Sequence, residues 1–131
     1  MKDYYQDNSN LMEFYSNVLN INGETITFQH DIETILQIQN NILVLLDVDG
    51  SASEADTANN VFGVKNGKIV WQVEDARNYI KNCPFSFSYT LMRQIDDEKV
   101  MLTDFNGFRI LIDSNTGKII PNDNRVPVEE E

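Results

Sequence analysis

A stretch rich in carboxylates follows the most apolar segment of the sequence. The segment ILVLL, residues 42–46, runs directly into DVDGSASEAD, residues 47–56. Its oxygen-bearing side chains are Asp47, Asp49, Ser51, Glu54 and Asp56. Oxygen ligands of this kind are those that Ca²⁺ and Mg²⁺ prefer, and two carboxylates at alternate positions can serve as nucleophile and general acid-base.

The spacing of these residues does not match a calcium loop of the EF-hand type. That loop has acids at its first, third and fifth positions and a glycine at its sixth, whereas Gly50 is fourth here. A solvated acidic loop is the simpler interpretation. We therefore predict no metal site and no cofactor, and we take Asp47, Asp49, Glu54 and Asp56 as candidate binding residues for a positively charged partner.

The motif DVDGS resembles the nucleophile motif of the haloacid dehalogenase superfamily of phosphotransferases. The resemblance implies that Asp47 attacks phosphorus and Asp49 acts as general acid-base beside a bound metal ion, with Ser51 where threonine is usual. That chemistry is placed by a parallel sheet with crossover connections, whereas closely spaced turns after Asp49 favour antiparallel neighbours. We predict no catalytic residues and keep a magnesium-dependent phosphatase using Asp47 and Asp49 as an alternative.

The rest of the chain is dominated by a period of two, which is typical of strands. Two-residue turn signals separate short apolar runs. They are Asn22-Gly23, Asn40-Asn41, Asn66-Gly67 and Asn106-Gly107. The run Ile42 to Leu46 is apolar on both faces and predicts a central strand that is covered on both sides. The predicted fold is all-β, with antiparallel hairpins forming a meander, open barrel or sandwich and at most one or two short helices.

Two segments leave their secondary structure open. Residues 11–20 fit either a helix or a first strand, and residues 74–82 fit about two helical turns or a loop. The strand PFSFSYTLM places Phe85, Phe87, Tyr89 and Leu91 on one predicted inner face. We expect one β-rich domain over residues 1–131, in which 121–131 form a mobile acidic tail.

The hairpin NNVFGVKNGKIVWQV resembles a blade hairpin of propellers of the pyrroloquinoline-quinone-dehydrogenase type. A closed propeller needs at least about four blades, and this chain has material for two or three. In this hairpin Trp71 alternates with Ile69 and Val73, and all three are predicted to face Phe62 and Val64. That pattern favours burial of Trp71, but an aromatic binding platform is the alternative, so Trp71 is retained among the candidate binding residues.

Composition restricts the partners. Twenty-one acidic and ten basic residues give a net charge of −11, which repels nucleic acid and anionic membrane surfaces and suits a basic protein partner or a cation. The same charge also keeps a small protein soluble, with no partner implied. Cys83 is the only cysteine, so no intrachain disulfide can form. With an amino terminus unlike a secretory signal, this predicts a cytoplasmic protein.

The order of hairpins from DIETILQIQNNILVLLD to VFGVKNGKIVWQV resembles that of small acidic bacterial proteins, including immunity factors encoded beside secreted toxins. The resemblance implies a non-catalytic protein that covers a basic partner with carboxylates. A further alternative is a structural module, monomer or homodimer, that self-associates through exposed sheet edges.

Overall fold

The computed structural model describes residues 3–6, 11–47, 58–80, 82–83 and 86–121. Within these ranges the chain forms eleven strands in three antiparallel sheets, and its only helical element is a single 3₁₀ turn at Ala76–Asn78. The prediction of a mainly β fold built from antiparallel hairpins is confirmed. The predicted tail lies outside the described residues, except for Pro121.

The first sheet is a meander of β1 (Asp3–Gln6), β2 (Leu11–Tyr15), β3 (Val18–Ile21) and β4 (Glu24–Thr27). The helical option for residues 11–20 is therefore wrong, because Met12, Phe14 and Leu19 take alternate positions on paired strands. Asn22 and Gly23 have φ values of 52° and 92°, and two positive values in succession are what a type I′ turn requires.

The second sheet is a meander of β5 (Ile32–Ile38), β6 (Asn41–Leu46), β7 (Val61–Lys65) and β8 (Lys68–Gln72). Its first turn lies one residue earlier than predicted, at Gln39–Asn40, because Ile38 pairs with Asn41. Asn41 is then the buried first residue of β6, and its side chain donates a hydrogen bond to Asn115 Oδ1 at 2.6 Å. The Asn66-Gly67 turn is confirmed.

The third sheet contains β9 (Tyr89–Gln94), β10 (Lys99–Asp104) and β11 (Arg109–Asp113). The predicted turn at Asn106-Gly107 lies inside a four-residue connection between β10 and β11, where Gly107 has φ of 93°. Beyond β11 the chain turns back and pairs through a single bridge between Ile119 and Ile112.

The second sheet lies between the other two, and β6 shows why. Every residue of this strand is buried. Ile42, Val44 and Leu46 belong to an apolar cluster with the first sheet, whereas Leu43 and Leu45 belong to a cluster with the third. Full burial of each such side chain stabilises the fold by about 1.5–3 kcal/mol. The prediction of a central strand covered on both faces is confirmed.

Two details of the predicted pattern are wrong, and a third that was left open is settled. Ile69 is 45% exposed because a bulge between Gly63 and Val64 shifts the register, so that Trp71 pairs with Gly63. Leu91 is 62% exposed, since the strand begins only at Tyr89 and a second bulge moves Leu91 to the outer face. The described part of residues 74–82 holds one 3₁₀ turn, capped by Asp75, and not two helical turns.

Candidate functional site

Of the candidate binding residues in the acidic stretch, Asp47 lies within the described residues. It directly follows β6 and is exposed. Its backbone N–H donates a hydrogen bond of 2.7 Å to the carbonyl of Asp31, the residue before β5. Because β5 and β6 are paired, Asp31 and Asp47 stand at the same end of the second sheet. Asp49, Ser51, Glu54 and Asp56 lie outside the described residues.

Glu33 adds a third exposed carboxylate at this end. A bulge in β5 between Ile32 and Thr34 leaves Glu33 without a register partner on β6. We call Asp31, Glu33 and Asp47 the acidic corner. Sequence reasoning missed Asp31 and Glu33 as site residues, although the pairing of β5 with β6 was predictable and brings Asp31 beside Asp47.

Asn60 follows the acidic stretch, is 4% exposed and forms hydrogen bonds to two sheets. Its side-chain amide donates to the carbonyls of Leu46 and Tyr89, both at 2.8 Å, and its Oδ1 accepts from the Tyr89 N–H at 2.7 Å. Its own carbonyl accepts from the Leu46 N–H at 3.0 Å. Asn60 therefore joins the second sheet to the third beside Asp47.

Charge is divided unequally along the chain. Residues 1–64 contain ten acidic residues and one lysine, Lys2, for a net charge of −9, whereas residues 65–131 contain eleven acidic and nine basic residues, for a net charge of −2. The first sheet and the first two strands of the second are built from the former part. The acidic corner thus lies on the part of the fold whose own sequence offers no lysine or arginine after Lys2.

Trp71 is part of the interior. The side chain is 9% exposed, and its indole N–H donates to the carbonyl of Ser114 at 3.2 Å. A Cβ built on Gly63 would lie 2.1 Å from Trp71 Cε2, and one on Gly117 would lie 2.3 Å from Cε3, so these two glycines admit the ring. This burial agrees with the interpretation of Trp71 as a core residue and leaves little of the ring for an aromatic binding platform.

Two buried titratable groups lie near the start of β9. Burial raises the pKa of Asp104 above its ordinary 3.8. The carboxylate accepts hydrogen bonds from the N–H groups of Asn106 at 2.5 Å and Ser88 at 3.0 Å, which lower the pKa but by less than burial raises it. Burial also raises the pKa of Tyr89, with a smaller contribution from the charges of Asp104 and Asp75. These bonds position Asp104 as the cap of the β10–β11 connection.

A cleft of about 390 Å³ opens at the opposite end of β6 from Asp47, between turns of the first and second sheets. Amides, turn backbone and one carboxylate form most of its wall, with two isoleucines. It is lined by Ile21, Asn22, Glu24, Asn40, Ile42, Asn66 and Gly67. This lining can form hydrogen bonds but holds no histidine, cysteine or hydroxyl side chain that could act as a nucleophile.

Neither the acidic corner nor the buried carboxylate forms a metal centre with the described residues around it. Among the residues that the structure describes, no group of three or more His, Cys, Asp or Glu side chains could hold a metal ion. Across the same ranges, no helix is long and apolar enough to cross a membrane.

Comparison with known proteins gives one match. A family model described as a domain of unknown function, DUF7957, matches residues 10–124. No curated protein and no solved structure matches this chain. Because the family model extends from the first sheet to beyond the third, the chain belongs to the DUF7957 domain family.

Proposed function

We propose that this chain is a non-catalytic binding protein that receives a basic protein surface at the acidic corner. The observation that supports this is the coincidence of three exposed carboxylates, Asp31, Glu33 and Asp47, with a part of the fold that is free of Lys and Arg from residue 3 to residue 64. No basic side chain from that part of the chain is there to neutralise these carboxylates.

The three carboxylates attract a basic protein before it makes contact. Exposed charges act over about one Debye length, roughly 8 Å at physiological ionic strength. A concentration of one sign of charge raises the association rate of an oppositely charged protein and rejects partners of like charge. The acidic residues Asp49, Glu54 and Asp56 follow Asp47 in sequence and carry charge of the same sign, but they lie outside the described residues.

Support against a catalytic role for Asp47 comes from its strand. β6 pairs with β5 and β7, and both pairings are antiparallel, whereas the phosphotransferase resemblance implies a parallel sheet. A phosphatase that depends on magnesium and loses its activity on Asp47→Asn would contradict the binding proposal. The assay is hydrolysis of a broad panel of phosphate esters by the wild type and this variant.

The binding proposal is tested with charge variants that differ only in location. Glu33→Lys with Asp47→Lys alters the acidic corner, and Asp97→Lys with Glu98→Lys makes the same change of charge at exposed positions between β9 and β10. Each immobilised protein is exposed to lysate of the source cell at low and high salt, and retained proteins are identified by mass spectrometry.

We expect a basic protein to be retained at low salt by the wild type and the Asp97/Glu98 variant, and to be lost with the Glu33/Asp47 variant. Equal retention by both variants would contradict the acidic corner, because total charge alone would then account for binding. No retained basic protein at low salt would contradict the function itself. A cytoplasmic location and an immunity-type role, in which the partner is a toxin with a basic active site, are the finer parts of this proposal.

A further inference from the structure

The two outer sheets each leave one face outside the apolar clusters. On the first sheet, register places a row of Tyr15, Val18 and Thr27 beside a row of Glu13, Asn20 and Thr25. None of these residues belongs to either buried cluster, and the ring of Tyr15 is 56% exposed. We call these six residues the first outer face; its only charged member is acidic.

The corresponding face of the third sheet has the opposite charge. Inner positions alternate with outer ones along β10 and β11, and the inner residues Val100, Leu102, Ile110 and Ile112 are fully buried or nearly so. The second outer face consists of Leu91, Arg93, Lys99, Met101, Thr103, Arg109, Leu111 and Asp113. It carries three basic residues and one acidic residue, with three large apolar side chains among them.

We propose that the second outer face of one copy of this chain covers the first outer face of another. The occupant is a second copy because each face supplies what the other lacks. Glu13 meets a face with a charge of +2, and Tyr15 and Val18 meet Leu91, Met101 and Leu111. Face-to-face stacking is also how the three sheets of one chain already pack, so the contact continues the existing order of layers.

This contact joins two different surfaces and is therefore head-to-tail. Two copies that form it at both ends make a closed pair with six stacked sheets, which lies within the four to eight of propellers. Pairing through the edge strand β8 of the second sheet is less suited to this chain. The edge strand β8 carries Lys68 and a bulge, and both features oppose the addition of another strand.

The overall charge of −11 makes salt dependence a poor test, because salt screens both the general repulsion between copies and the local attraction. Charge-swap variants separate the two. Arg93→Glu alters the second outer face at an exposed position on the edge strand β9, and Glu13→Lys alters the first outer face. Lys68→Glu makes the same change as Arg93→Glu on β8, outside both faces.

Light scattering coupled to size exclusion measures the mass of each protein at about 10–200 µM, with circular dichroism as a check on folding. We expect the mass of two chains for the wild type and for Lys68→Glu, and of one chain for Arg93→Glu and Glu13→Lys. Mixing the last two variants restores the pair, because each altered face then has an opposite partner. A second comparison uses Leu91→Ser, which should weaken the pair at least tenfold, and Ile69→Ser, which should not.

A wild type that remains monomeric over this range would overturn the inference. So would a pair that survives Arg93→Glu and Leu91→Ser. The Glu33→Lys/Asp47→Lys variant should still pair, since the acidic corner is not part of either outer face. Loss of the pair with retention of a basic partner would thus contradict this inference alone and leave the proposed function standing.

Discussion

Replacing Gly63 with alanine should destabilise the protein strongly, although the change adds only one methyl group. Gly63 does not have a positive φ, so its backbone conformation suits any residue. The obstacle is Trp71, whose ring lies where the new Cβ would be. Cε2 would lie 2.1 Å away, Nε1 2.3 Å and Cδ2 2.6 Å, whereas ordinary contact begins at about 3.4 Å.

The cost follows from this overlap. A shortfall of 1.3 Å at the nearest atom cannot be absorbed by relaxation of a few tenths of an ångström, so the indole must move. That movement strains the hydrogen bond from the indole N–H to the carbonyl of Ser114 and the packing of the ring on Gly117. Overpacking of a core costs about 1–3 kcal/mol, and we expect about 3 kcal/mol here.

Urea unfolding provides the measurement. Trp71 is the only tryptophan, so its fluorescence reports on this site, and circular dichroism supplies an independent signal. The control is Gly107→Ala, where φ is 93° and no atom lies within 4 Å of the new Cβ, so only backbone strain of about 1 kcal/mol is expected. Trp71→Phe combined with Gly63→Ala should cost less than the two single changes added together. A Gly63→Ala variant within about 0.5 kcal/mol of the wild type would refute the reasoning.

Other consequences of the structure can be measured in the same way. Asn60→Ala should lower the free energy of unfolding by about 3 kcal/mol, because it leaves the Tyr89 N–H and two buried carbonyls without their partner. The control is Asn106→Ala at an exposed position, which should cost less than about 1 kcal/mol in the same urea unfolding. The raised pKa of Asp104 means that the folded state holds this proton more tightly than the unfolded state, so the stability advantage of wild type over Asp104→Asn should fall as the pH rises from 3.8 through the folded pKa. The opposite trend is expected for Asp96, because hydrogen bonds from the N–H groups of Glu98 and Lys99 lower its pKa. The stability advantage of the wild type over Asp96→Asn should be lost as the pH falls from 3.8 through the lowered pKa. Urea midpoints between pH 3 and 7 test both, and slopes of the same sign for the two variants would contradict these assignments.

Much of the strand pattern could be predicted because local signals and burial agreed. Asn22-Gly23 and Asn66-Gly67 supply the positive φ values that tight turns need, and the unbroken apolar run of β6 reflects coverage on both faces. The errors come from single residues that change register. A bulge opposite Gly63 exposes Ile69, and the turn lies at Gln39–Asn40 because Asn41 pairs with Ile38 and donates a hydrogen bond to Asn115, 74 residues away in sequence.

The site was less predictable than the fold. Asp47 could be identified from the sequence because it directly follows the apolar run of β6. Asp31 and Glu33 join it only through the pairing of β5 with β6 and the bulge at Glu33. The charges of the outer faces also depend on which residues of β9 to β11 point away from the core. That choice is made by the bulge between Thr103 and Asp104 and by packing against the second sheet, neither of which leaves a signal in composition.

The most direct test of the central proposal is labelling of carboxyl groups by mass spectrometry, with and without the basic protein retained by the wild type. We predict that labelling of Asp31, Glu33 and Asp47 falls at least threefold in the complex, while Asp97 and Glu98 are labelled equally in both states. Unchanged labelling at the acidic corner, or an equal fall at all five positions, would contradict the assignment of this corner as the binding surface.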